Sequence, residues 1–482
     1  MKKISIFLFA LLSLAMVSCG EDYLETAPTG SVAEKDMIAS LSGAETVLDG
    51  INRATYTYYS AHDRFGQKSI DYINDCLGDD FYPTEEGYGW FVAWYQWITH
   101  RSATAGNLEY VWAYYYDLIN NANLVLANVE PMEVLSAEEN KKNNIMAQCY
   151  TYRAYALYNL VQYYGEGTKG VPVPVTPNPG ALARSTVDSV YLQINNDLTK
   201  AINLFANGGS KVSRANVSQI NAEVAYAIAA RVALTRGNWA DAAAYAEKAY
   251  AKHPLCDDYT YGWNKANNEW IWGAILIDEQ QTSYASFFSH MDPIFGGYCT
   301  LGNHHCMSEE LFNFLSDGDA RKIVNQPAEV FGTAVFNDYF GGKPRSSFKY
   351  TGMGEWTNDY LYIKSGEMYM IAAEAYARLN QYDKAQAALN TLNKKRFMAG
   401  FVPTTKTGDE LLEEILMYRR AELWGDGQRF FDMKRLNIGC EGRAGQPLAE
   451  QTASIPAGDK RFTFLIPQQE MDSNPKMVQN TL

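Results

Sequence analysis

The sequence predicts an all-α protein, a scaffold of antiparallel helix pairs interrupted by one long, loop-rich insertion. Three observations carry this reading. Gly237-Asn238-Trp239-Ala240-Asp241-Ala242 and Asn380-Gln381-Tyr382-Asp383-Lys384-Ala385 are turns of one kind, an aromatic, then an Asp, then an Ala, each joining two Ala-rich segments. Several other segments carry apolar residues at three and four and open on capping residues. Between the two turns, over about 256–362, Gly, aromatic and polar residues displace the helical period.

The chain opens with Lys2 and Lys3, an apolar run from Ile4 to Val17, then Ser18 and Cys19, the layout of a secretory signal with a cysteine at its end. The run is too short to cross ~30 Å of bilayer core, which takes about 20 residues of helix. Residues 1–18 therefore read as a lipoprotein signal peptide and Cys19 as the lipidated start of the mature chain. Residues 19–34 are poor in apolar side chains, carry Pro28 and Gly30, and read as a tether before a single domain over 35–482.

Ser136 and Glu139 form a capping box ahead of Met146, Cys149, Tyr150, Arg153, Ala154 and Leu157, a helical stripe that ends at Gly165. Pro172, Pro174, Pro177 and Pro179 make Gly165–Gly180 an extended loop. Ser185 with Asp188 and Thr407 with Glu410 mark two more helix starts, the second helix stopping at Gly425. Helices Asn221–Arg236 and Glu367–Leu379 precede the repeated turns, and Ala240–Ala251 and Lys384–Arg396 follow them. Small residues let such helices approach closely while the aromatic fills the corner, a tetratricopeptide-like signature. The paired-helix regions run over about 105–255 and 360–436.

The formal charge of −14 becomes −16 once Lys2 and Lys3 are removed, so the protein repels phosphate backbones and no nucleic-acid partner is expected. Besides Cys19 there are Cys76, Cys149, Cys256, Cys299, Cys306 and Cys440, an even set that permits disulfides without assigning any. Thirteen of the thirty-six residues from Phe81 to Tyr116 are aromatic, and Trp90, Trp94 and Trp97 share one face if that stretch is helical. Such faces suit the C–H surfaces of sugar rings, with Asp79, Asp80, Gln96, His100 and Arg101 as polar partners, or else form a stripe of core. Asp79-Asp80 and Glu85-Glu86 invite comparison with a glycosidase pair, although adjacent acids in a Gly-rich loop are usually solvated. Cys299, His304, His305 and Cys306 have metal-binding chemistry, yet adjacent histidines point apart in an extended chain, and no metal is expected. Nucleophile elbows, zinc-protease motifs, phosphate loops and dinucleotide fingerprints are absent, so neither a catalytic residue nor a cofactor is expected.

The segment Arg419-Arg420-Ala421-Glu422-Leu423-Trp424-Gly425-Asp426-Gly427-Gln428-Arg429-Phe430-Phe431-Asp432-Met433-Lys434-Arg435 resembles the C-terminal hallmark of the SusD/RagB family of nutrient-binding outer-membrane lipoproteins. Phe464-Leu465-Ile466-Pro467, Glu470, Asn474-Pro475 and Gln479-Asn480 resemble its ending, and Cys19 with Glu21, Asp22, Tyr23, Leu24 and Pro28 its start. Asp426 stands where Glu is commoner, and Phe431 and Leu436 where Trp often occurs. The resemblance implies four tetratricopeptide helix pairs in a right-handed superhelical scaffold, and a loop-rich ligand face without enzymatic activity. It also implies a surface-exposed position on the outer membrane through the lipid, with a SusC-like TonB-dependent transporter as partner. The implied cargo is a glycan, with oligopeptide capture as the alternative. By position, the ligand residues would be Asp79, Trp90, Trp94 and Trp97 from the early region and Tyr284, Tyr298 and Trp356 from the insertion. The hallmark itself reads as a structural network of Arg419, Arg420, Glu422, Arg429 and Asp432.

Overall fold

Helix α1 (Leu41–Ala54) starts at Ser40, whose hydroxyl accepts from the Gly43 amide at 3.2 Å, and buries Leu41, Ala44, Leu48 and Ile51 on one face. The computed structural model describes residues 38–482 other than 353, 355 and 451; the signal, Cys19 and the tether lie outside the described residues. Helix α2 (Gln67–Cys76) is buried along its whole length. Next come α3 (Gly106–Val129), which packs on α1, then α4 (Glu139–Tyr164) on α3 and α5 (Val187–Ala206) on α4. The stripe expected in α4 is buried apart from the half-buried Met146, and the helix ends at Gly165.

Three caps differ from expectation; one is Thr407, which precedes the helix Gly408–Glu422 without a side-chain capping bond, and that helix stops short of Gly425. Residues 135–138 close a turn through Glu138 N–H to Leu135 O at 2.8 Å, so Glu138 rather than Ser136 precedes α4. Ser185 is spent on backbone pairing with Gly170 and Val171, and its neighbour Thr186 caps α5 by accepting from Ser189 N at 3.1 Å.

The repeated turns behave as predicted. They join α6 (Ala222–Thr235) to α7 (Trp239–Tyr250) and α8 (Ser365–Arg378) to α9 (Tyr382–Arg396), with Gly237 and Asn380 in the left-handed region at φ +72° and +58°. Although the insertion separates the two pairs in sequence, α7 packs on α8. Tyr250 stacks on Tyr369 at 4.0 Å, and the Tyr376 hydroxyl donates to Glu247 at 2.6 Å. Helices α10 (Gly408–Glu422) and α11 (Arg429–Leu436) complete the long elements.

Strand pairing is the departure from an all-helical chain, and it positions the site. Strand β1 (Phe81–Pro83) pairs antiparallel with β3 (His305–Met307), and β2 (Trp270–Ala274) with β4 (Tyr360–Lys364). The first sheet joins the early region to the insertion, and the second clamps the two ends of the insertion together. Between these strands the insertion carries helices of four to eight residues, too short to print a helical period on the sequence. The six cysteines are free thiols, five of them buried. Among the described residues, no helix is long and apolar enough to cross a membrane.

The hallmark residues fasten the chain ends together. Arg429 binds Asp79 at 2.6 Å and Arg420 binds Asp80 at 2.6 Å, while the Trp424 indole donates to Asp80 O at 2.9 Å. Asp432 accepts from Arg419 at 2.8 Å and Arg435 at 2.7 Å, and Arg435 continues to Glu374 at 2.7 Å. Burial pushes the Asp432 carboxyl up, but Arg419 and Arg435 outweigh it and hold the group at about 2. Glu422 and Asp426 are also desolvated, and their lysine and arginine neighbours hold both below the usual range. Each such group stabilises the fold fully above its unfolded pKa of about 4 and loses that contribution as pH falls through its folded value. Asp71, pushed up to about 6 by burial, acts oppositely between about 6 and 4. The melting temperature is therefore expected to drop steeply from about pH 4 to pH 2, which circular-dichroism melts across that interval check.

Candidate functional site

One cluster of rings reaches solvent where the early region meets the insertion. His62 lies on the loop between α1 and α2, Tyr88 and Trp90 follow β1, and Tyr284, Phe295, Tyr298 and Trp356 come from the insertion. His62 stacks on Trp90 at 5.6 Å and 24° and on Tyr284 at 6.5 Å and 8°. Tyr298 touches Tyr88 at 5.3 Å, Tyr284 at 5.4 Å and Trp90 at 5.9 Å. Trp356 meets Tyr284 at 5.2 Å and Phe295 at 5.1 Å. Tyr284 is 40% exposed and Tyr88 67%, whereas Trp90, Tyr298 and Trp356 are half-buried. Rings that are gripped from behind and open in front form a stacking platform.

The support beneath the rings is polar and specific. The Tyr298 hydroxyl and His62 Nδ1 share a hydrogen bond of 2.6 Å. His290, stacked under Tyr298 at 5.1 Å, bonds through Nε2 to His62 O at 2.9 Å, and burial lowers its pKa to about 4, so it stays neutral. Asp292 accepts from the amides of Ile294 at 2.9 Å and Gly352 at 2.5 Å, tying the loop of Phe295 to the segment that leads to Trp356. Three non-glycine residues beside the platform, Ser60, Phe91 and Ser283, adopt positive φ of 61°, 63° and 47°. Such strain persists where the surroundings over-determine the backbone, and it collects at ligand sites.

Four of the seven nominated residues, Trp90, Tyr284, Tyr298 and Trp356, therefore converge. The other three do not. Trp94 and Trp97 are 1% and 3% exposed and belong to the core against His100, Phe430, Phe462 and Phe464. Their shared helical face does not exist: the α-helix there covers only Val92–Tyr95, and Trp97 sits at φ +57°. Asp79 is buried in its pair with Arg429, and Asp80 in its pair with Arg420, so neither carboxylate faces a ligand. His100 is fully buried and bonds Arg461 O at 2.8 Å, and Arg101 bonds Thr463 O at 2.6 Å, so both serve the C-terminal segment. His304 approaches the Cys299 sulfur at 3.8 Å while His305 bonds the Tyr72 hydroxyl, which turns the two imidazoles to different partners. Sequence reasoning missed His62, Tyr88 and Phe295; the run Tyr56-Thr57-Tyr58-Tyr59 ahead of His62 was the available signal. Replacing Trp94 by Phe is expected to cost about 1–2 kcal/mol of stability and to leave ligand affinity unchanged, as paired denaturation and binding titrations would show.

Residues 22–234 match the SusD-like family described as starch-binding associating with outer membrane, and residues 303–482 match the SusD family. The chain belongs to the SusD/RagB family. A SusD-like protein P2 of Formosa agariphila is 23% identical over 525 residues, spanning 100% of this chain and 98% of that one. A SusD-like carbohydrate binding protein from Bacteroides vulgatus has the same fold at 23% identity, with a TM-score of 0.77 over 92% of this chain and 98% of that one. A laminarin binding SusD-like protein superposes with a TM-score of 0.68 at 20% identity, over 91% of this chain and 98% of that one. The helix-dominated architecture is thus that of SusD-superfamily structures, and the hallmark ties down the SusD-like ends without entering the platform.

Proposed function

We propose that this SusD-like chain captures a glycan on the platform of His62, Trp90, Tyr284, Tyr298 and Trp356 and is a binding protein rather than an enzyme. The observation that carries the reading is the convergence of rings from two distant parts of the sequence into one partly exposed face. Stacking takes up the C–H face of a sugar, and the Tyr284 and Tyr298 hydroxyls with His62 address its oxygens. The carbohydrate-binding and laminarin-binding relatives support it. We further read residues 35–482 as one unit anchored through Cys19 to the outer surface of the outer membrane, delivering cargo to a SusC-like TonB-dependent transporter. A shallow platform that must release its cargo implies micromolar to millimolar affinity, about −8 to −4 kcal/mol.

Tyr58, edge-on to His62 at 6.2 Å, together with Tyr88, Tyr284 and Tyr298 around two tryptophans also suits oligopeptides, which keeps peptide capture as the second reading. Affinity electrophoresis and calorimetry against polysaccharides, oligosaccharides and peptide digests separate the two. Retardation by a polysaccharide with no heat from peptides is the expected result, and binding confined to peptides would replace the glycan reading.

A further inference from the structure

A second concave site lies away from the platform and shares no lining residue with it. A cavity of about 440 Å³ opens between the outer face of α3, the proline loop and α12 (Gln468–Ser473). Trp112, Tyr116 and Asn120 recur every fourth residue along that face, while Tyr110 and Tyr114 on the other face pack against Tyr59.

The walls are held before any ligand arrives. The Tyr116 hydroxyl donates to Pro172 O at 3.0 Å, and the buried Asn123 amide donates to Pro174 O at 3.1 Å and Thr176 O at 3.2 Å. Asn123 is in turn fixed by Arg153 at 2.7 Å, itself paired with Asp197 at 2.6 Å. The Asn178 amide donates to Asn120 Oδ1 at 2.8 Å, and Asn474 bridges Leu182 O at 2.9 Å and Glu470 at 2.7 Å. Proline geometry, which the sequence already showed, thus serves a braced wall rather than a slack connection.

The lining also has one sign of charge. Glu109, Asp117 and Glu470 face the cavity, and no Lys or Arg lines it. Glu109 and Asp117 have no ion-pair partner among the described residues. Asp117 is exposed at the cavity mouth, and partial desolvation there raises its carboxyl pKa. Aromatic and pyrrolidine rings, side-chain amides and unpaired carboxylates in a preformed hollow of this size match the composition of a small-ligand site.

We propose that this cavity is a second carbohydrate subsite, which takes one or two rings of an amine-bearing sugar and disfavours uronates. The ring packs on Tyr116 and the prolines, its ammonium group sits among Glu109, Asp117 and Glu470, and its hydroxyls meet the amides of Asn120 and Gln469. The inference does not rest on the platform reading, and the test keeps the two apart.

Calorimetry with a glucosamine trisaccharide and a galacturonate trisaccharide is run on the wild-type protein and on Trp90→Ala/Trp356→Ala. It is then repeated on the same double variant carrying Asp117→Asn and Glu470→Gln. Binding of the glucosamine oligomer is expected to survive loss of the platform, to weaken about tenfold or more with the two added substitutions, and to exceed that of the galacturonate oligomer. Unchanged melting temperatures establish that all variants fold. Failure of the glucosamine oligomer to bind the wild type would overturn the proposal. So would loss of binding in the platform variant alone, indifference to Asp117→Asn and Glu470→Gln, or equal binding of the uronate.

Discussion

Glu422→Gln is expected to destabilise the protein by about 3–5 kcal/mol, the cost of leaving a buried charge uncompensated. Glu422 is fully buried and contacts Arg396 at 3.0 Å, Lys364 at 3.3 Å and Arg321 at 3.6 Å. Those cations and Lys349 also meet Glu269, Asp319 and Asp426. Four buried cations, Arg321, Lys349, Lys364 and Arg396, thus face four carboxylates, Glu269, Asp319, Glu422 and Asp426. Neutralising Glu422 removes the carboxylate that Arg396, Lys364 and Arg321 share, in a place where water cannot screen those cations. The side-chain shape is nearly kept, so the loss is electrostatic rather than steric. A lower urea midpoint with the same slope is the expected reading, because the surface exposed on unfolding does not change. Ligand affinity of the folded fraction should be unaltered. An unchanged midpoint would mean that these pairs are not the lock that joins α9, α10 and the insertion.

Trp356→Ala and Trp90→Ala are each expected to weaken binding of the captured polysaccharide by about 2 kcal/mol, roughly thirtyfold in Kd. Each removes one wall of the platform: both rings are half-buried, Trp356 packs on other platform rings, and Trp90 packs on platform rings and on the edge of the core. Their effects should be less than additive, because Tyr284 and His62 connect the two rings. Melting temperatures close to wild type would separate loss of stacking from loss of fold, and affinity electrophoresis gives the ranking. Full affinity in both variants would remove the platform from the account.

Local chemistry explains what the sequence disclosed. The turns at Gly237 and Asn380 were legible because a left-handed residue, a corner aromatic and flanking alanines are local signals. The helices they join end within two residues of expectation. The strands were not legible. β1 and β3 are three residues each and paired across more than two hundred positions, and neither carries an alternating pattern long enough to read.

The site shows the same division. Trp90, Tyr284, Tyr298 and Trp356 were singled out by aromatic content and position, and their convergence on one face depends on the two small sheets. Trp94 and Trp97 were misplaced because their spacing has meaning only on a continuous helix, and the backbone turns at Gln96 and Trp97. Asp79 was misplaced because its partner Arg429 lies 350 residues away. His62 stayed hidden since a lone histidine in a tyrosine-rich loop has no spacing to announce it.

The most direct measurement is a crystal structure of the protein soaked with the oligosaccharide unit of whichever polysaccharide it retains. The account predicts a sugar ring in stacking contact with Trp90, Tyr284 or Trp356, with hydroxyls in reach of His62 or Tyr298. A ligand bound elsewhere with the platform rings bare would contradict it.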